Sequence, residues 1–150
     1  KVGILMGTLG EMDRAELMHE LRIRSTPEFR LDYFKGVRLS GEDFQGLFLE
    51  EIDFEGAELS QGNFTSCQME KANLRHTDLR NANLHGTNLQ NADLTGADLR
   101  GADLSFANLQ WAIMTNVKVD GAIFRNANLR CADIMGVFWS DAIDFDKARK

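Results

Sequence analysis

Proline is nearly missing from this chain: Pro27 is the only one among 150 residues. Cysteine is almost as scarce, with Cys67 and Cys131 standing 64 positions apart. That excludes a disulfide-stapled scaffold and fits a reducing compartment. Basic charge is not in excess. Lys and Arg number 17 against 23 Asp and Glu, a net charge of −6, which argues against direct binding to nucleic acid or to an anionic membrane. No apolar run approaches the ~20 residues that span a bilayer. The opening Lys1–Met6 is too short for a signal-peptide core and has no clear cleavage site. Residue 1 is not methionine, so a trimmed or processed chain and a removed targeting segment stay open. A cytoplasmic location is the expectation.

Catalytic patterns are missing as well. His19, His76 and His85 lack metal-ligand spacing. Gly3, Gly7 and Gly10 form neither a dinucleotide fingerprint nor a P-loop. The many carboxylates follow a repeat register that explains them structurally, so they single out no acid/base pair. Asn63-Phe64-Thr65 is formally a glycosylation sequon, but its middle residue belongs to the core series described next. These absences point to a protein with no enzymatic activity, no cofactor and no metal site.

What is present is a period. From Phe34 to Trp139 an apolar residue recurs every five positions, 22 times out of 22. Neither a helix, with a period of about 3.6, nor a plain strand, with a period of about 2, produces this. Two residues before each of these centres lies a second restricted position. Of 21 such positions for centres 39–139, 11 are alanine. The others are Val37, Leu47, Ile52, Gly62, Cys67, Thr77, Thr87, Val117 and Val137, with Glu42 as the charged exception. The residue between the two is mostly Asp or Asn. Each unit therefore reads small-in, polar-out, large-in, then two corner residues rich in Gly, Asn and polar side chains. Those residues tolerate the backbone angles of a tight turn. Cys67 takes an inward slot and Cys131 a corner, so the two are not expected to pair.

Units such as Ala82–Gly86, Ala92–Gly96, Ala97–Gly101 and Ala102–Phe106 resemble the pentapeptide-repeat family, A(D/N)LXX, over roughly residues 35–141. The resemblance implies an all-β solenoid, a right-handed quadrilateral β-helix in which four units make one square coil. Residues 20 apart then stack, as in Phe44/Phe64/Leu84/Leu104/Phe124. Roughly five coils at about 4.8 Å each give a rod about 25 Å long. Three segments are expected: 1–31 with a capping α-helix, 32–141 as the β-helix, and a tail over 142–150. The helix is expected over Glu11–Arg24, with Met12, Ala15, Met18 (or Leu17), Leu21 and Ile23 on its apolar side and Pro27 ending it. At the other end the register fails after Trp139, since the next centre is Asp144 and Phe145 falls one residue late. Phe138, Trp139 and Phe145 cover that end, or another molecule pairs with it, or the chain has been shortened.

The outward residues supply candidate recognition sites. Phe106 and Trp111 occupy corners where the family pattern has Gly, Asn or polar residues, and Ile113 and Ile123 take the usual Asp/Asn slot. Met135 and Phe138 are also outward by register. Such clustered apolar residues suggest a partner-binding patch, or packing under a C-terminal tail. A second candidate is the acid-rich stretch Glu42, Asp43, Glu50, Glu51, Asp53, Glu55 and Glu58, with no Lys or Arg between Arg38 and Lys71. It suits a basic partner surface or serves solubility. The pairs Asp78/Arg80, Asp98/Arg100 and Lys118/Asp120 and the amide column Gln68/Asn88/Asn108/Asn128 have ready structural roles. The function expected is a non-enzymatic protein-interaction scaffold for a protein partner of unstated identity, as a monomer or an end-to-end homodimer. The alternative comes from the resemblance: some family members mimic DNA and regulate DNA gyrase. The acidic charge fits that role. The neutralised Asp78/Asp98 column, the short rod and the want of a C-terminal dimerisation helix do not.

Overall fold

The computed structural model describes residues 13–24 and 34–148. Gly3, Gly7, Gly10, Glu11, Met12 and Pro27 lie outside the described residues. The architecture is the right-handed quadrilateral β-helix, preceded by one short helix. Parallel bridges join residues 20 apart on all four sides, as in Asp78↔Asp98, Asn83↔Asp103, Asn88↔Asn108 and Asp93↔Ile113.

Each corner is one four-residue turn. The centre's carbonyl accepts the N–H three residues on, as from Ala97 to Leu94 at 2.8 Å. The third residue of the turn has positive φ at all 21 corners from Gly36 to Gly136, and nine of these residues are glycine. Type II turn geometry demands such an angle and favours Gly or Asn for it. Along the walls, each side sends two N–H groups toward the next coil and receives one. Leu109 and Trp111 donate to the carbonyls of Asn128 (2.8 Å) and Arg130 (3.1 Å), and Asn128 donates to the carbonyl of Ala107 (2.9 Å).

One N–H per unit, just after the centre, is not used by the walls. The outward Asp or Asn accepts it, as Asp98 Oδ1 does from Arg100 (3.2 Å) and Asn88 Oδ1 from Gln90 (3.2 Å). This Asx bond is the physical reason for the repeat's Asp/Asn preference. Where the inward small slot is polar, its donor also finds a carbonyl. Thr77, Thr87 and Cys67 donate to the carbonyls of Phe54, Phe64 and Phe44 at 3.0, 2.7 and 2.8 Å. Burial pushes the Cys67 thiol up to about 12, so it stays protonated.

The centres from Phe34 to Leu129 are buried. Aromatic rings gather at both ends: Phe44 stacks on Phe64 (centroids 4.3 Å apart), and Phe124 meets Trp139 edge-on at 5.2 Å. At the C-terminal end Asp144 adopts φ 54° and opens a single 3-10 turn, Phe145–Lys147. The extra step brings Phe145 over Phe124 and stacks it on Trp139 at 3.9 Å. Two of the three expected cover residues therefore seal the bore. Phe138, at 83% exposure, does not, because its segment makes no bridge to Lys118 and swings away from the wall.

At the N-terminal end, α1 spans Arg14–Arg24. Asp13 and Glu16 form a reciprocal cap: the Glu16 N–H donates to Asp13 Oδ1 (2.9 Å) and the Asp13 N–H to Glu16 Oε2 (3.0 Å). Its buried face is Leu17, Met18 and Leu21. Ala15 and Ile23, expected on that face, are exposed. Arginines complete the contact. Arg22 donates to the carbonyl of Asp43 at 2.8 Å, and Arg14 bonds the carbonyl of Ser40 and pairs with Glu42 at 2.6 Å. The Arg14 pair explains how a carboxylate occupies the inward slot at Glu42.

Candidate interaction surface

Phe106 and Trp111 stand at the two ends of one side of the same coil, with Asn108 midway between them. Both are more than half exposed, at 55% and 54%. Both have positive φ, 61° and 62°. A bulky side chain in that region is an outlier, and the left-handed conformation costs roughly 1–2 kcal/mol for a non-glycine residue. Nine other corners avoid the strain with glycine. Phe106 leans on the His85 ring of the coil below (centroids 5.3 Å apart), which fixes its direction.

Ile113 lies around the corner from Trp111, stacked between Asp93 and Asp133, and is exposed. It has no oxygen to accept the Thr115 N–H, as Asp93 does for Thr95. Ile123 lies on the opposite flank, beyond Phe106, where Ile143 stacks on it and leaves it half-buried. The four apolar candidates thus wrap three adjacent sides. Trp111 with Ile113 makes one cluster, and Phe106 with the Ile123–Ile143 strip makes another. Phe48, at the outward slot in the Gln68 column, is a further exposed apolar residue. Its signal was the same as that of Ile113, an apolar residue in an Asp/Asn slot.

The amide face between Phe106 and Trp111 is a continuous ladder: Asn88, Asn108 and Asn128 each donate to the amide oxygen 20 residues earlier at 3.3 Å. The ladder stiffens the platform on which the two aromatics stand.

The acid-rich stretch is paired by the coiling. Glu55 meets Lys35 at 2.7 Å, Glu58 meets Arg38 at 3.2 Å and Glu51 meets Lys71 at 3.7 Å, each across one coil. Asp53 accepts the Glu55 N–H and the Asn73 amide at 3.0 Å. Glu50 is half-buried at its corner. A stretch without cations in sequence therefore has them in space. On the side that carries Glu58, Arg80 and Arg100 grip Asp78 and Asp98 with two bonds each, the shortest at 2.7 and 2.6 Å. Those guanidinium hydrogen bonds hold both carboxyls below the usual carboxylate range. Lys118 and Asp120 form no such pair.

Among the described residues no group of three His, Cys, Asp or Glu side chains could hold a metal, and no helix is long and apolar enough to cross a membrane. Cys67 is buried, Cys131 is exposed and both are free.

Square coils with alanine-lined walls, joined by parallel bridges between residues 20 apart, define a β-solenoid. Eight copies of the pentapeptide-repeat model match residues 33–70, 67–105 and 102–138, and the chain belongs to that family. The crystal structure of the pentapeptide repeat protein Rfr23 from the cyanobacterium Cyanothece 51142 is 27% identical, with TM-score 0.62, over 88% of this chain and 98% of that one. A pentapeptide repeat protein of the Arabidopsis thaliana thylakoid lumen is 34% identical over 73% of this chain and 69% of its own, with TM-score 0.42. One from Nostoc is 39% identical over 50% and 62%, with TM-score 0.49. Comparison with curated protein sequences gives no match.

Proposed function

We propose that this chain is a non-enzymatic protein-interaction module, a rigid rod that presents the corner residues Phe106 and Trp111 with Ile113 and Ile123 to a partner protein. The observation that carries this reading is the pair of half-exposed aromatics held at strained corners. Twelve corners carry non-glycine residues at positive φ, and Phe106 and Trp111 alone place a large apolar ring there in water, which points to use. A preformed rod loses little freedom on binding, which favours affinity from a small apolar patch. Glu50, Glu51, Asp53, Glu55 and Glu58 form a second candidate surface, with their mutual repulsion relieved by Lys35, Arg38 and Lys71. The free thiols support a reducing, cytoplasmic setting.

The test is affinity capture from native lysate with the unmodified chain and with Trp111→Ala, Ile113→Ala and Ile123→Ala. A partner retained by the first and lost by the Trp111 variant supports the reading; equal retention by all four removes the patch. A gyrase supercoiling assay in parallel separates out the DNA-mimic alternative. That alternative needs unneutralised carboxylates along the rod, whereas Asp78 and Asp98 are held by arginines.

A further inference from the structure

From residues 37–41 to 112–116, each side of the solenoid meets the next coil through two N–H donors and one carbonyl acceptor. On two adjacent sides of the last coil the same groups are left over. They are the Leu129 and Cys131 N–H groups with the Ala127 carbonyl, and the Ile134 and Gly136 N–H groups with the Ala132 carbonyl. None of them bonds to another group among the described residues. The third side is already covered, since Phe124 donates to the Ile143 carbonyl (2.9 Å) and Ile143 to the Ala122 carbonyl (2.8 Å). The bore is closed by Trp139 and Phe145. An open rim around a sealed interior takes a strand, not a further coil. Its apolar border is Ile134, at 38% exposure, and Met135, at 70%.

The polarity of the rim selects its occupant. A second copy presenting the same rim brings two more donors and one more acceptor to each side, so donors outnumber acceptors and several stay unbonded. The complementary edge, two carbonyls and one N–H per side, is the N-terminal edge of a coil. In this chain α1 lies over that edge, and Arg14 and Arg22 take the carbonyls of Ser40 and Asp43. Head-to-tail stacking of copies is blocked there.

We propose that the C-terminal rim, Ala127–Gly136, docks an extended segment of a partner protein, aligned parallel to the coil and offering two carbonyls and one N–H to each of the two sides. This is strand addition to an exposed edge. It stands whether or not the corner aromatics bind a partner, because Trp111 substitutions probe one surface and Ile134 substitutions the other.

The probe is a synthetic peptide of residues 86–97 of this chain. Within the solenoid this segment bonds the coil below in the required pattern: the Asn88 and Gln90 carbonyls accept from Met69 and Lys71 (2.8 and 2.9 Å), and Asn88 donates to Cys67 (2.9 Å). Added to the full chain, it is expected to slow amide exchange at Leu129, Cys131, Ile134 and Gly136 and to leave Asp120 and Arg125 unchanged. Ile134→Pro removes one rim donor and breaks no existing bond. It should weaken the peptide about fivefold, while Ile134→Ala keeps the amide protection. The proposal is overturned by equal binding to the proline variant, by no protection at millimolar peptide, or by light scattering that finds a dimer with these four amides already protected.

Discussion

Replacing Trp111 with asparagine should separate recognition from folding, and the structure sets the size of the effect. Trp111 is 54% exposed, so under half of its surface is covered. Taking roughly 250 Å² for the side chain, about 115 Å² leaves water, worth about 3 kcal/mol at 25 cal/mol per Å². Residual compactness of the unfolded chain trims this to about 2 kcal/mol. Against that loss, asparagine tolerates the positive φ of 62° and recovers about 1 kcal/mol of backbone strain. The net cost is about 1 kcal/mol. Leu109 is the reference, two residues away on the same side and completely buried; Leu109→Ala should cost about 3–5 kcal/mol through lost burial and the cavity left behind. Urea unfolding followed by circular dichroism measures both. If Trp111→Asn proves as costly as Leu109→Ala, Trp111 is part of the fold's support and its exposed face is not spare for a partner. The argument from strain at the corner then fails.

Two further outcomes follow from the titrating groups. A thiol reagent at pH 8 should modify one cysteine per native chain, Cys131, and two after denaturation, because Cys67 is buried with its pKa pushed up to about 12; modification of both in the native state would refute the inward placement. Asp78 and Asp98 have folded pKa values lowered by their arginines, and that of Asp144 is lowered by Lys147 and Arg125. Their contribution is complete above the unfolded carboxylate value of about 3.9 and is lost as pH falls through the folded values. Thermal melts should hold steady from neutral pH to about pH 5 and decline below about pH 4, with a shallower decline for the Asp78→Asn/Asp98→Asn double variant.

The core was legible in the sequence because a solenoid makes spacing and position the same thing. A residue five places on is the next side, and one 20 places on is the next layer, so Phe44, Phe64 and Phe124 were placed by counting. The amide ladder and the two arginine grips followed from the same count. Directions not set by the count were harder to read. Glu51, Glu55 and Glu58 looked uncompensated along the chain, because their cations arrive from layers above and below. Phe138 kept its register in sequence, yet its segment left the wall. On α1, the three buried residues are those facing the first coil, and the spacing left Leu17 and Met18 as alternatives where the structure buries both. Arg14 and Arg22 carried no signal, since an arginine that satisfies a backbone carbonyl looks like any solvated arginine.

The single extra step at Asp144 has a consequence for how such rods are measured out. Counting by fives would put a carboxylate in the middle of the tube; slipping by one puts a phenyl ring there and shuts it. The bore is thus closed by a change of phase within a few residues. Loss of one residue between Ser140 and Asp144 would return Phe145 to the lattice and leave the bore in phase for another turn.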